Sequence, residues 1–215
     1  MYYIEFERIS EIYETRKPSE ILCAKEQEYF ASLKFDKRKK DYLVGRYTAK
    51  KLLLENFVKN AKLSFKDISI LKDEDGKPDL YINGEKSNIM LSISHSGDFA
   101  SAIASTKLKF LGVDTEKIET RSESWAKQSF YNTEYPTNPQ NQTDEFFTTL
   151  WAKKEAVVKA LGVGLSVDLW DIRFENGQLN FYNKTLEIWK SKGSPELKVE
   201  VLTQPNGYIT VICGV

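Results

Sequence analysis

FLGVDTEKIE, residues 110–119, decides how the chain is read. Phe110, Leu111, Gly112 and Val113 form an apolar run that reads as a strand entering a core. Asp114 and Glu116 follow, and residues at i and i+2 of a strand share one face. Two carboxylates side by side against buried surface repel each other, and burial makes the repulsion worse. A hard divalent cation such as magnesium would resolve it, because it takes oxygen ligands and keeps waters and substrate phosphates among them. The alternative is a solvated strand end, with Glu116 and Lys117 as ordinary surface charges.

The 215 residues suffice for one large domain or two small fused halves, and 41% hydrophobic with 13% aromatic residues sustain a packed core. Lysine plus arginine equals aspartate plus glutamate at 31 each, so no global attraction to nucleic acid or to a membrane surface is expected. Cys23 and Cys213 lie far apart outside any CxxC pattern and read as reduced thiols of a cytoplasmic protein. MYYIEFERIS lacks a signal-peptide pattern, and no segment approaches the ~20 apolar residues of a membrane helix.

Alternation predicts a strand over residues 2–9, and apolar periodicity predicts helices over 19–33 and 36–59. ISILKD and PDLYI read as strands about the turn DEDGKP, where Asp75-Gly76 is a hairpin signal. MLSISHSG and FASAIAS read as strands, residues 122–131 as a helix and 132–145 as a polar loop. A strong helix, FFTTLWAKKEAVVKALG, stops at Gly162. The remainder reads as strands, including WDIRFENGQLNFY about Asn176-Gly177 and the closing YITVICGV. A long helix followed by strands in each half predicts an α+β chain of two similar lobes, 1–108 and 109–215.

Three further groups bear chemistry. In WAKKEAVVKALG, Trp151, Glu155 and Lys159 are four apart and share a helix face. Glu155 could supply a third carboxylate and Lys159 could meet a phosphate oxygen; a surface Glu–Lys pair is the alternative. In SISHSG, His95, the only histidine, sits between Ser94 and Ser96 before Gly97. Hydroxyls, an imidazole and free amides suit an anionic oxygen, while a tight hairpin turn explains the same residues. KFDKRKKDYLVGR concentrates Lys34, Lys37, Arg38, Lys39, Lys40 and Arg46, which suits a solvated helix face or a ligand with several phosphates.

Taken in order, these motifs resemble those of the 4'-phosphopantetheinyl transferases of the surfactin-synthetase-activating type. The resemblance rests on the serine-histidine-serine turn Ser94–Ser96, the strand Gly112–Glu116 and the helix Trp151–Lys159 followed by GVGL. GKP at Gly76–Pro78 and the Gly45-Arg46 pair match as well. It implies a monomer of two similar lobes related by a pseudo-twofold axis, with coenzyme A in the cleft between them. It also implies transfer of the phosphopantetheine arm of coenzyme A to a serine of an apo acyl or peptidyl carrier protein, releasing 3',5'-adenosine bisphosphate.

By the same resemblance Asp114, Glu116 and Glu155 would hold Mg2+, and Glu155 is the candidate general base. Lys159 would steady the pyrophosphate, so Asp114, Glu155 and Lys159 are the implied catalytic residues. Ser94 and His95 would contact coenzyme A phosphates, and Gly76, Lys77 and Pro78 would line the adenine pocket. Arg46, with Lys40 or Arg38, would meet the 3'-phosphate, which suits arginine's planar fork. Thr115, where the family usually has an aliphatic residue, is expected to point away from the acids and matter little. Trp125, Phe130 and Tyr131 are candidates for a carrier-docking surface, with core packing as the alternative. A coenzyme-A-binding relative without catalysis and a magnesium-dependent nucleotide phosphohydrolase are the competing readings.

Overall fold

The computed structural model describes residues 1–58, 62–72 and 78–215. The first half runs β1 (Tyr3–Arg8), α1 (Ile9–Thr15), α2 (Pro18–Ile21), α3 (Ala24–Ser32), α4 (Asp36–Asn56), β2 (Ile68–Lys72), β3 (Pro78–Ile82), β4 (Glu85–Lys86), β5 (Met90–Ser96) and β6 (Phe99–Ser105). The second runs β7 (Leu111–Lys117), α5 (Glu123–Ser129), α6 (Asp144–Leu161), β8 (Ile172–Glu175), β9 (Gln178–Phe181), α7 (Asn183–Ser191), β10 (Lys198–Leu202) and β11 (Tyr208–Gly214). Among the described residues no helix is long and apolar enough to cross a membrane.

The same plan is used twice. The sheets β1-β6-β5 and β7-β11-β10 are antiparallel, and in each the half's first strand pairs with its last, which pairs with its penultimate. A long helix packs on each sheet, α4 on one and α6 on the other. A hairpin follows each helix, β2–β3 and β8–β9. The expected mixed α and β architecture of two similar lobes is therefore present.

Local sequence explains the two long helices. α4 is buried on more than one side, with Leu43, Val44 and Tyr47 packed among Ile9, Ile12 and Ile21 and with Leu52 and Leu53 packed among Ile68, Ile70 and Leu80, and it keeps Asp36 in its first turn. α6 starts at Thr143, whose hydroxyl accepts from Phe146 N at 3.1 Å, and Asp144 and Glu145 face the positive end of its dipole. It ends at Gly162, which adopts the left-handed conformation at φ 64°.

Each helix also carries a fully buried lysine, and the two lysines are wired alike. Lys50 Nζ donates to Glu26 Oε2 at 2.5 Å and to the carbonyls of Ile21 and Phe65. Lys154 Nζ donates to Glu134 Oε2 at 2.7 Å and to the carbonyls of Ser129 and Leu169. Glu26 also accepts from Cys23 N and Ile70 N, as Glu134 does from Tyr131 N and Phe174 N. Each carboxylate thus ties a helix to the hairpin behind it. Burial lowers the pKa of both lysines, and the carboxylate partners oppose that.

Three local expectations are corrected. The helix expected over 19–33 breaks at Leu22 and Cys23, both extended, because Glu26 turns back to cap Cys23 N. The C-terminal stretch expected to be all strand contains α7, whose Thr185, Ile188 and Trp189 face the protein at helical spacing. The helix expected over 36–59 ends at Asn56, with residue 59 outside the described residues. The turn DEDGKP lies outside them except for Pro78, although β2 and β3 do pair antiparallel on either side of it.

The halves meet along β5 and β7. Ser92, Ser94 and Ser96 alternate on β5, so their side chains share one face. Their hydroxyls accept from Val113 N, Thr115 N and Lys117 N at 3.1, 3.1 and 3.2 Å. The open edge of β7 is thereby satisfied by side chains rather than by a neighbouring strand. Ile103, Leu111, Val113 and Ile212 fill the apolar part of the same seam. Thr115 does point away from the acids, but its surroundings correct the expectation that it matters little. It is fully buried, and its hydroxyl bonds Ser101 on β6 at 2.6 Å and Thr210 on β11 at 2.9 Å.

Candidate active site at the seam of the two halves

Asp114 and Glu116 stand on the β7 face that meets β5. Ser94 Oγ donates to Asp114 Oδ1 at 2.9 Å, and Ser96 Oγ donates to Glu116 Oε2 at 2.7 Å. From the other side, α6 lies so close to β7 that only glycine fits at 112. A Cβ there would stand 2.1 Å from Ala156 O and 2.5 Å from Ala160 N. This approach delivers Glu155 and Lys159 to the acids: Lys159 Nζ donates to Asp114 Oδ1 at 2.7 Å and to Ser94 Oγ at 3.0 Å.

The electrostatics are those of crowded carboxylates. Burial, and next the charge of Asp114, push Glu116 up to about 7, with Ser96, Lys159 and Arg121 pulling the other way. Burial and Asp114 likewise raise Glu155, so the field of Asp114 reaches both. Asp114 Oδ2 is buried with no hydrogen-bond partner among the described residues. Among those residues no three His, Cys, Asp or Glu side chains are gathered closely enough to form a metal cage unaided. The donors nevertheless suit a hard dication: three oxygen-bearing acids, one with a buried unused oxygen, and two whose proton affinity is raised by burial and by the charge of Asp114.

A cleft of about 320 Å3 opens beside this cluster, lined from both halves by Arg38, Asp41, Arg46, Pro78, His95 and Lys159 among others. His95 Nδ1 lies 3.7 Å from Asp41 Oδ2, which Lys37 Nζ also meets at 2.8 Å. Burial lowers the His95 pKa, opposed by Asp41 and assisted by Lys159 and Lys37. Arg46 lies 4.5 Å over the Tyr42 ring, donates to Ile70 O and pairs with Glu26 at 3.5 Å. Arg38 makes no ion pair among the described residues and lines the cleft.

Asp114, Glu116, Glu155 and Lys159 are therefore brought together, and His95, Arg38, Arg46 and Pro78 line the adjoining cleft. Ser94 is not free to meet a ligand phosphate, because it is buried at the seam among Asp114, Lys159 and Thr115 N. Lys40 turns away from the cleft and lies 5.3 Å over the Tyr13 ring. Gly76 and Lys77 lie outside the described residues. Phe130 is core, stacked on Phe147, and Trp125 packs against Phe130 and Trp151, so these two form no open docking face. Tyr131 lies under the Arg173 guanidinium at 3.6 Å. Sequence reading missed Asp41, which orients toward His95, and the strapping role of Ser92, Ser94 and Ser96; the alternation of the serines was the available signal.

Two family models match in tandem. Residues 110–213 match the 4'-phosphopantetheinyl transferase superfamily, and residues 14–107 match the model described as 4'-phosphopantetheinyl transferase, N-terminal. A holo-[acyl-carrier-protein] synthase of a Geobacillus species is 38% identical over 105 residues, covering 46% of this chain and 86% of that one. The human L-aminoadipate-semialdehyde dehydrogenase-phosphopantetheinyl transferase is 28% identical over 169 residues, covering 72% of this chain and 53% of that one. A solved holo-(acyl-carrier-protein) synthase from Bacillus anthracis, in complex with CoA (3',5'-ADP), has a TM-score of 0.42 at 27% identity, over 48% of this chain and 91% of that one. The chain belongs to the 4'-phosphopantetheinyl transferase superfamily, and it is a transferase.

Proposed function

We propose that this chain is a transferase of the surfactin-synthetase-activating type, with lobes 1–108 and 109–215, that moves the 4'-phosphopantetheine arm of coenzyme A onto a serine of an apo carrier protein. One observation carries the reading. Asp114, Glu116, Glu155 and Lys159 converge at the seam, beside a cleft whose walls bear Arg38, Arg46 and His95.

In this reading Asp114, Glu116 and Glu155 hold a magnesium ion. A magnesium ion held by these three carboxylates would supply positive charge to offset the charge of the anhydride. Arg38, Arg46 and His95 bind the adenosine bisphosphate portion, and Pro78 stiffens one wall. Glu155 accepts the proton of the incoming serine hydroxyl, directly or through a water. The serine oxygen bonds to the phosphorus bearing the pantetheine arm, and the bond from that phosphorus to the bridging oxygen breaks. Lys159 exchanges Asp114 for an oxygen of the departing 3',5'-adenosine bisphosphate. Ser94 and Ser96 hold the two strand acids in register.

Intact-mass measurement on a panel of apo carrier proteins tests the reading. With coenzyme A and magnesium, at least one carrier should gain one phosphopantetheine, and chelator should abolish the gain. Thermal stabilisation by coenzyme A with no mass gain on any carrier would leave a binding protein instead.

A further inference from the structure

The pseudo-twofold relation maps the acid trio onto a second cluster in the first half. Counted from their first residues, the seven-residue strands β6 and β11 set Ser101 in the place of Thr210. Phe6 pairs with Ser101, and Thr115 pairs with Thr210. Glu5 and Glu7 therefore occupy on β1 the places that Asp114 and Glu116 occupy on β7. The buried lysines fix the helices independently: with Lys50 in the place of Lys154, the next residue sets Lys51 in the place of Glu155.

At that position the ammonium of Lys51 lies between the two acids, 2.8 Å from Glu5 Oε1 and 2.7 Å from Glu7 Oε1. All three side chains are partly buried, at 29%, 25% and 15% exposure. Burial disfavours the lysine's charge, but the hydrogen bonds to both carboxylates prevail and its proton is held more tightly than usual.

We propose that Lys51 is a tethered cation. Its ammonium stabilises the acid pair of the first half as a dication does that of the second, so the chain has one exchangeable cation site and one permanently filled copy of it. The copy is one substitution from a divalent site, because Lys51→Glu would complete three carboxylates. This rests on the reading of Asp114, Glu116 and Glu155 as cation ligands.

Calorimetric titration with manganese chloride tests the proposal, with wild type and Lys51→Glu compared. Lys51→Glu is expected to bind one more ion per chain than wild type; equal stoichiometry overturns the proposal. A wild type that binds none counts against the acid-trio reading alone, since the difference between the two proteins still decides this one. If Lys51→Glu does not fold in chelator, thermal melts of Lys51→Gln decide. Manganese should raise its melting temperature more than that of wild type, and an equal rise overturns the proposal.

Discussion

Lys159 Nζ and Asp114 Oδ1 form an ion pair of 2.7 Å across the seam, and Ser94 Oγ reaches the same oxygen at 2.9 Å. A helix, a strand of the second half and a strand of the first are thus tied at one atom. The other oxygen of the same carboxylate is left buried and unpartnered among the described residues. Asp114→Asn keeps the shape and removes the charge. Transfer to the carrier should fall roughly 100- to 1,000-fold, the scale of losing one preorganised electrostatic group. Circular dichroism should stay that of wild type, since Lys159 retains Ser94 and access to the cleft.

Gly112→Ala should damage both stability and rate. The added carbon meets the backbone of α6 at Ala156 and Ala160, so the helix must retreat. Overpacking of this kind costs about 1–3 kcal/mol. The retreat also carries Glu155 and Lys159 away from β7, and a misplacement near 1 Å costs about 100-fold in rate. Denaturant melts and steady-state transfer by the folded fraction measure the two effects separately.

His95 should take up a proton when the cleft is filled. Burial holds its pKa below the ordinary 6.5, so near that pH the free imidazole is largely neutral. A phosphate beside it favours the charged form and raises the pKa. Between the two values binding takes up a proton, so affinity rises as pH falls. Calorimetry of 3',5'-adenosine bisphosphate in buffers of different ionisation enthalpy should register the uptake in wild type and none in His95→Gln.

The paired buried lysines should be costly to cut. Lys154→Met leaves the Glu134 carboxylate fully buried beside Phe130 without its cation. Breaking one side of such a pair costs about 3–5 kcal/mol. Lys50→Met should behave alike in the first half, where Arg46 at 3.5 Å from Glu26 softens the loss. Urea denaturation of the two variants measures both.

The parts legible in the sequence were those whose periodicity is local. The strand at 111–117 and the helix that carries Trp151 follow from spacing, and their motifs carried the family resemblance. The helix at 36–56 was legible too, but its facing was not. Arg38 and Arg46 are eight residues apart and share a face, whereas Lys40, two from Arg38, falls on nearly the opposite side. That phase argument was available and separates Lys40 from the cleft. Ser94 could not be assigned from sequence, because its partners lie 20, 21 and 65 positions away and meet it only once the halves dock. The break after Ile21 has the same origin, since Glu26 caps Cys23 while serving Lys50 in the next helix.

Anomalous diffraction from crystals grown with manganese and coenzyme A tests the central claim most directly. The account predicts one peak at inner-sphere distance from Asp114 Oδ2, Glu116 and Glu155, with Lys159 withdrawn to a phosphate oxygen. A coenzyme A molecule bound in the cleft, with Glu155 facing elsewhere and no peak between the acids, would contradict it.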